Sequence, residues 1–227
     1  MTSIAFLFDE TGLAAIPFAR AGIHCYLFDW VNKTEDRSEF VHAINQDLRD
    51  RSVLEYMLRK IDCRMIASFP DCTQLAVSGA AHFESKRKKD PEFQYKAIEL
   101  FKTGEVMSDI LGVPSFTENP ISVAASLYRP PDFYFHPHEY GGYLPVDDVH
   151  PEYPDYIAPR DAYPKKTSGW IKNGFIIPPK KPVYVRPGYS DQHKKLGGKS
   201  EKTKRIRSSS PRGFFEAVYQ SNKDVFK

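Results

Sequence analysis

Long apolar runs are missing from this chain of 227 residues. None approaches the roughly 20 residues that a membrane-spanning helix needs. Cysteine is scarce as well, and Cys25, Cys63 and Cys72 form neither a C-x-x-C pair nor an even set. This excludes a disulfide scaffold and a cysteine-based structural zinc site, and it favours a reducing compartment. Charge of one sign does not dominate either, since 32 basic residues face 29 acidic ones.

The chain start lacks the basic stretch and the cleavage site of a signal peptide, so we expect a cytoplasmic protein. Residues 4–8 read instead as a first strand, followed by a turn over 9–12 and a helix over 13–21. A second strand over 23–28 closes at Asp29 and Trp30. This β-α-β unit brings a helix start and a carboxylate to one end of a parallel sheet. Alternatively, Asp29 only caps a turn and Trp30 belongs to the core.

The pattern continues with further strands and helices of the same kind. Residues 44–47 resemble a third strand with Asp47 at its tip, and residues 51–61 form an amphipathic helix. A central strand over 64–68 and a helix from Pro91 to about Ile110 follow. We therefore predict an α/β fold with a doubly wound, Rossmann-like sheet.

Two loops carry the residues with the most chemistry. Residues 68–74 place the thiol of Cys72 just after the central strand, and residues 117–120 place Glu118 after the neighbouring one. Ligands of open α/β sheets bind beyond the carboxyl ends of strands, so a nucleophile and an acid meet there. The alternative is that Cys72 is a small core residue. Residues 74–81 are small and flexible enough for a lid.

Composition divides the chain into three parts. Residues 1–127 form the α/β core, residues 128–164 an irregular insertion rich in proline, tyrosine and acids, and residues 165–227 a return to the core. His136 and His138 in the insertion lack the spacing of metal ligands, so no metal is expected. The charge run over 84–90 reads as a solvated face.

The return to the core carries a basic run from Lys194 to Arg212, in which Glu201 is the one acid. The run includes Lys199, Arg205 and Arg207. Such a run either neutralises phosphates or forms a mobile, solvated loop. A terminal helix over 214–220 follows it.

In this order, these pieces resemble the DNA cytosine-5 methyltransferases, especially short phage-encoded members. Residues 8–12 look like the family's Phe-x-Gly-x-Gly motif, 69–72 like its Pro-Pro-Cys loop, and 118–120 like Glu-Asn-Val. Residues 209–213 and the final helix look like its last motif. The resemblance covers most of residues 4–130 and 165–220 and implies a Rossmann-like S-adenosylmethionine-dependent methyltransferase sheet. It assigns the cofactor to Phe8, Asp9, Glu10, Thr11, Gly12, Asp29, Trp30, Asp47 and Pro70.

The implied reaction is methylation of cytosine C5. Cys72 would add to C6 as the nucleophile, Glu118 would act as the acid at N3, and Asn119 would hold the loop. In duplex DNA the base must first leave the stack. The partner would be DNA or a pyrimidine nucleotide, in the host cytoplasm if the protein is phage-encoded. The substrate is expected to contact Asp71, Thr73, Ser78, Arg129, Lys165, Lys166, Arg205 and Arg207.

The chain also departs from the family pattern. Glu10 replaces the first glycine of the cofactor loop, and Asp71 puts a negative charge beside the thiol, which weakens a nucleophile. The Gln-x-Arg-x-Arg motif has only a poor match over 204–207, and no full target-recognition domain is present. An acidic insertion beside the pocket should repel duplex DNA. Two alternatives therefore stay open: an enzyme of this fold that acts on a free pyrimidine nucleotide or another small substrate, and a non-catalytic binder.

Overall fold

A computed structural model describes residues 2–188, 190–197 and 200–227. Lys199 of the predicted basic run lies outside these residues. Within the described residues, eight strands form one mixed sheet in the order β3-β4-β2-β1-β5-β6-β8-β7. The strands are β1 (Ser3–Leu7), β2 (His24–Asp29), β3 (Glu35–Ser38), β4 (Val41–Asn45), β5 (Cys63–Ser68), β6 (Ser115–Pro120), β7 (Phe133–Phe135) and β8 (Thr167–Lys172).

Five strands run parallel, and the other three are antiparallel to a neighbour. Strands β4, β2, β1, β5 and β6 pair in parallel, β3 runs against β4, and β8 runs against both β6 and β7. The chain starts in the middle with β1, builds outwards to β4, and then returns to add β5 on the other side. The order of the strands therefore reverses between β1 and β5, which is where doubly wound sheets bind ligands.

Helices cover both faces of this sheet, which makes the fold α/β and consistent with a Rossmann-like arrangement. The helices are α1 (Ile16–Arg20), α2 (Arg51–Lys60), α3 (Phe83–Lys89), α4 (Phe93–Phe101), α5 (Thr103–Leu111), α6 (Ala124–Leu127), α7 (Asp191–Lys195), α8 (Glu201–Ser208) and α9 (Arg212–Asn222). Among the residues described, no helix is long and apolar enough to cross a membrane.

Each face of the sheet has its own apolar core. One face buries Phe6 and Phe116 against Phe18 of α1 and Phe214 and Phe215 of α9. The other face buries a second set of side chains against α2 and α5; it includes Leu7, Phe28, Leu54, Leu58 and Met107. Both cores follow from strands that are apolar on both sides, which a sheet covered on two faces requires.

Several predicted elements differ from those observed. The helix expected over 91–110 is two helices, α4 and α5, which are separated at Lys102, where φ is −71° and ψ is −9°. A close approach explains where α5 lies: a Cβ on Gly104 would meet the Cβ of Ser68 at 2.7 Å. The helix expected over 13–21 begins with a 3-10 turn, Leu13–Ala15, before α1.

The strand expected over 44–47 is β4, which ends at Asn45, and the short strand β3 precedes it. The solvated charge run is helix α3, which has no buried residue. The predicted lid over 74–81 contains a 3-10 segment, Val77–His82. The basic run from Lys194 to Arg212, interpreted as either a phosphate-binding segment or a mobile loop, contains the end of α7 and the whole of α8. Serines at 190 and 200 cap the amino ends of these helices.

Candidate functional site

A cavity of about 490 Å³ opens at the carboxyl ends of β1, β2, β4 and β5. Side chains that directly follow these strands form its wall. They include Phe8 after β1, Asp29 and Trp30 at the end of β2, Asp47 after β4, and Phe69 after β5. A cavity at the point where the strand order reverses is the expected ligand site of a doubly wound sheet.

The loop after β1 is shaped by one buried carboxylate. Asp9 Oδ1 accepts hydrogen bonds from the Thr11 amide at 2.8 Å, the Thr11 hydroxyl at 3.0 Å and the Gly12 amide at 2.9 Å. Burial raises the pKa of Asp9, although these hydrogen bonds oppose the shift. Gly12 has φ +73° and leaves no room for a Cβ, which would meet Leu27 at 2.9 Å. The loop therefore needs glycine at this position, while Asp9 Oδ2 is buried without a partner among the described residues.

Asp29 and Trp30 present a carboxylate and a large ring to the cavity. Asp29 Oδ1 accepts a hydrogen bond from the Val31 amide at 3.0 Å, and burial raises the pKa of Asp29. Trp30 is 72% exposed although it lies on the cavity wall. An exposed tryptophan has a face to offer a flat ligand, and a carboxylate beside it accepts hydrogen bonds from hydroxyls.

Two other acids of the predicted cofactor site already have arginine partners. Arg49 Nε lies 2.9 and 3.0 Å from the two carboxylate oxygens of Asp47, and these bonds lower the pKa of Asp47 to about 2. Glu10 forms an ion pair with Arg205 of α8. A ligand that contacts Asp47 or Glu10 must therefore share the carboxylate with an arginine or displace that arginine.

The loop carrying Cys72 is joined to the end of β6. The buried amide of Asn119 donates a hydrogen bond to the Pro70 carbonyl at 2.9 Å. Backbone hydrogen bonds also join the loop to residues after β6, at 3.0 Å from Val77 to Ile121 and 2.9 Å from Val123 to Leu75. These bonds hold the two predicted catalytic segments side by side.

Cys72, Glu118 and Lys165 lie within electrostatic reach of one another. Burial raises the pKa of the Cys72 thiol, the charges of Asp71 and Glu118 raise it further, and Lys165 opposes them. Burial also raises the pKa of Glu118, again against the charge of Lys165. The charges of Glu118 and Lys165 thus reach the Cys72 thiol, but Cys72, Glu118 and Lys165 do not line the cavity.

The other predicted substrate residues on the Cys72 loop are tied locally. Asp71 accepts hydrogen bonds from the Thr73 amide at 2.9 Å and the Thr73 hydroxyl at 2.6 Å. Lys86 of α3 donates to the Thr73 carbonyl at 2.8 Å. Ser78 is exposed in the 3-10 segment Val77–His82. Of these residues, only Asp71 also lines the cavity.

Arg129 lies away from this region. Its guanidinium binds buried Glu105 at 3.1 Å, Asp132 at 2.9 Å and the Ile171 carbonyl at 3.3 Å. Ile171 pairs with Phe116, two residues before Glu118, so Arg129 sits below the strand ends and supports the sheet. Lys166 lies over the ring of Tyr134, with its Nζ 4.8 Å from the centroid.

Two other basic residues that are predicted to contact the substrate, Lys165 and Arg207, contact other parts of the chain. Lys165 Nζ donates to the Arg207 carbonyl at 3.0 Å, which fixes α8 beside the Cys72 region. The Arg207 side chain donates to the Leu196 carbonyl at 3.2 Å.

The acidic insertion and the basic run pack against each other. Arg212 donates to both oxygens of Asp148, each at 2.7 Å, and lies 3.4 Å from buried Asp161. Lys195 reaches the Asp155 carbonyl at 2.6 Å, and Lys202 lies 5.0 Å from the Tyr156 ring centroid. An apolar cluster lies beneath these contacts; its buried members are Ile157, Tyr163, Leu196 and Ile206. The two segments therefore neutralise part of each other's charge.

Sequence reasoning missed four residues of the cavity wall. Leu48, Arg49 and Phe69 each lie close after a strand, so the position that identified Asp47 could have identified them too. Leu100 comes from α4, and only the packing of that helix brings it to the cavity. Within the described ranges, no group of three or more histidine, cysteine, aspartate or glutamate residues is arranged to hold a metal ion.

Searches of protein-family models and of curated proteins find no match to this chain.

Proposed function

We propose that the protein is an S-adenosylmethionine-dependent methyltransferase that acts on cytosine C5 in DNA. The observation that best supports this is the cavity at the strand ends, with Asp29 and Trp30 on its wall. The Asp29 carboxylate suits the hydroxyls of a ribose, and Trp30 suits the face of an adenine ring. Phe8 and Phe69 extend the apolar part of the same wall.

The strand order agrees with this proposal at the level of the fold. A Rossmann-like methyltransferase needs its cofactor and its catalytic loops at one edge of the sheet, beyond the carboxyl ends of the strands. Here the cavity lies beyond β1, β2 and β4, while Cys72 follows β5 and Glu118 lies in the last half of β6.

The roles of Cys72 and Glu118 follow from their chemistry. The Cys72 thiolate adds to C6 of cytosine, and Glu118 donates a proton or a hydrogen bond to N3. When bound, S-adenosylmethionine would supply a sulfonium methyl group to C5, and loss of the C5 proton with elimination of the Cys72 thiol would end the cycle. Because burial raises the pKa of Glu118, the acid is protonated closer to neutral pH than an exposed glutamate.

Asn119 and Lys165 have supporting roles in this reaction. Asn119 holds the Pro70 carbonyl and with it the start of the Cys72 loop. The positive charge of Lys165 lowers the pKa of both Cys72 and Glu118. Its positive charge favours the thiolate that the reaction needs, against burial and the charge of Asp71.

Calorimetric titration with S-adenosylmethionine tests the cofactor part of the proposal. We expect one site, and about a tenfold or greater loss of affinity in Asp29→Ala, because a hydrogen bond to a charged group is removed. Asp155→Ala, which removes an exposed acid away from the cavity, should bind like the wild type. Absence of binding in the wild type would contradict the proposal and favour a non-catalytic binder.

Transfer of a tritiated methyl group tests the chemical part. Label should enter DNA with the wild type and should be absent with Cys72→Ala. Transfer that survives Cys72→Ala would rule out the thiol mechanism, even if the cofactor binds.

A second candidate is methylation of a free pyrimidine nucleotide. The observation that favours it is the pairing of the basic run with the acidic insertion, which leaves fewer cations for DNA phosphates. The same tritium assay with dCMP in place of DNA separates the two: label in dCMP and none in DNA would select the nucleotide.

A further inference from the structure

A second cavity, of about 620 Å³, adjoins the first and shares Arg49, Asp71 and Leu100 with it. Its remaining walls come from the Cys72 loop, from helix α4, and from single residues at the start of α2, after α3 and at the start of α5. The volume lies within the range of small-molecule sites and exceeds what a few ordered waters need. Nothing in the methyl transfer proposed above uses this space.

Two polar groups on the wall lack hydrogen-bond partners. Thr103 is completely buried, and its hydroxyl has no partner in the part of the chain that is described. The side-chain carbonyl of Gln74 is likewise buried and unpaired. Buried polar atoms are nearly always hydrogen-bonded, so a hydroxyl and an amide oxygen in this state indicate a missing partner.

The charged residues of the wall argue against an anionic ligand. Arg49 is bound to Asp47, Arg51 lies 3.7 Å from Glu99, and Lys96 lies 2.9 Å from Asp90. A phosphate or carboxylate would have to displace one of these acids or lie beside it. The paired charges leave a neutral ligand as the better fit.

The apolar part of the wall indicates the shape of that ligand. Pro70, Phe93, Ala97 and Leu100 contribute to it, and Tyr95 adds an aromatic ring that is 67% exposed. Aromatic and proline side chains give extended contact to flat rings. A ring that also donates one hydrogen bond and accepts another would satisfy Gln74 and Thr103.

We propose that this second cavity binds a neutral, amino-substituted heterocycle of the nucleobase class, with or without its sugar. Its amino group donates to the Gln74 carbonyl, and a ring nitrogen accepts from the Thr103 hydroxyl. The site differs from the first cavity in Gln74 and Thr103, which line the second cavity and not the first, while Asp29 lines the first and not the second.

Titration of the full chain with cytidine, followed by ligand-observed NMR, tests the proposal. We expect binding to the wild type and a loss of about fivefold to tenfold in Thr103→Val, which removes one neutral hydrogen bond. Thr117→Val makes the same change at another fully buried, unpaired hydroxyl outside this wall, and it should bind like the wild type. N4,N4-dimethylcytidine, which lacks the amino hydrogens, should bind more weakly than cytidine.

The Asp29→Ala variant changes the first cavity and not the second. It should therefore bind cytidine with the affinity of the wild type. Loss of cytidine binding in Asp29→Ala with no change in Thr103→Val would place the nucleoside in the first cavity and overturn the proposal. Failure of the wild type to bind cytidine at millimolar concentration would overturn it as well and leave the unpaired groups to ordered water. The effects of Thr103→Val and Asp29→Ala on cytidine binding can be measured whether or not S-adenosylmethionine binds.

Discussion

Asp71 is the residue that most directly opposes the chemistry of Cys72. After burial, its charge is the largest influence that raises the thiol pKa, and it lies next to the thiol in sequence. Its carboxylate accepts two hydrogen bonds from Thr73, which an asparagine oxygen can also accept. The charge can therefore be removed without losing the shape of the turn.

We predict that Asp71→Asn makes Cys72 more reactive. The thiol pKa falls when the neighbouring charge is removed, so the thiolate fraction at neutral pH rises and alkylation by iodoacetamide is about twofold to fivefold faster. Mass spectrometry of the Cys72 peptide over a pH series measures the rate. Cys25 and Cys63 are buried and should stay unlabelled in the folded protein.

Asp155→Asn is the control, because it removes an exposed charge away from the thiol and should leave the rate unchanged. An Asp71→Asn rate equal to that of the wild type at every pH would show that the charge of Asp71 does not influence the thiol pKa.

At the scale of elements, one buried cation helps to join helix α9 to the acidic insertion, beside the packing of Phe214 on Tyr140. Arg212 at the start of α9 is about 10% exposed, and its partners Asp148 and Asp161 are 8% and 1% exposed. Burial opposes ionisation of Asp148, but the bonds to Arg212 prevail and its pKa lies below the ordinary value. Removal of the cation would leave two buried carboxylates with backbone amides as donors, Arg160 for Asp148 and Gly213 for Asp161, and without a compensating positive charge.

We predict that Arg212→Met lowers the free energy of unfolding by about 3 kcal/mol, as measured by urea denaturation. Arg20→Met breaks an exposed pair with Glu216 of the same helix and should cost less than about 1 kcal/mol. The double variant with Asp148→Asn should lose less than Arg212→Met alone. Equal losses in Arg212→Met and Arg20→Met would mean that the buried pair adds nothing.

The same pair predicts an acid limit. Because the folded pKa of Asp148 is depressed, its stabilisation is present above the ordinary value of 3.8 and is lost as the pH falls through the folded value. Wild-type stability should therefore drop in this acidic window. In Arg212→Met, the part of this acid-induced fall in stability that comes from Asp148 should be absent.

The Cys72 loop depends on a second element, β6, through Asn119. We predict that Asn119→Ala speeds amide hydrogen exchange over residues 70–77. The Pro70 carbonyl loses its donor, so the free energy of opening the loop falls by about 1 kcal/mol. Asn173→Ala, which frees Ser108 and Asp109 at the other end of the sheet, should leave exchange over 70–77 unchanged. Unchanged exchange in Asn119→Ala would assign the loop's order to its backbone bonds alone.

For the whole molecule, the distribution of charge decides how nucleic acid could bind. The basic run is folded against acids of the same chain, so fewer cations are free than its composition implies. Each phosphate neutralised on duplex DNA contributes about 0.9 to the slope of log affinity against log salt. The salt dependence of DNA binding therefore measures how many of these cations contact phosphates rather than acids of the same chain.

We predict a shallow slope for duplex DNA, equivalent to about two to four phosphates, in fluorescence anisotropy over a salt series. Glu10→Gln releases Arg205 and should steepen the slope by about 0.9, one phosphate. Glu55→Gln releases Arg59 on α2, away from the basic run, and should not change it. Binding without any salt dependence would contradict a role for the basic run in phosphate contact.

The sequence by itself determined the alternation of strands and helices, the turn after β1, and the positions of Asp29 and Cys72 near strand ends. Local rules suffice for these features, because apolar periodicity and turn residues act over a few positions. Glu118, expected in a loop after a strand, lies within β6 and pairs with Gly169 of β8. The order of the strands, the split of α4 from α5, and the structural role of Arg129 were decided only in three dimensions. So were Leu100 on the cavity wall and the pairing of Arg212 with Asp148, since each depends on contacts between residues far apart in the chain.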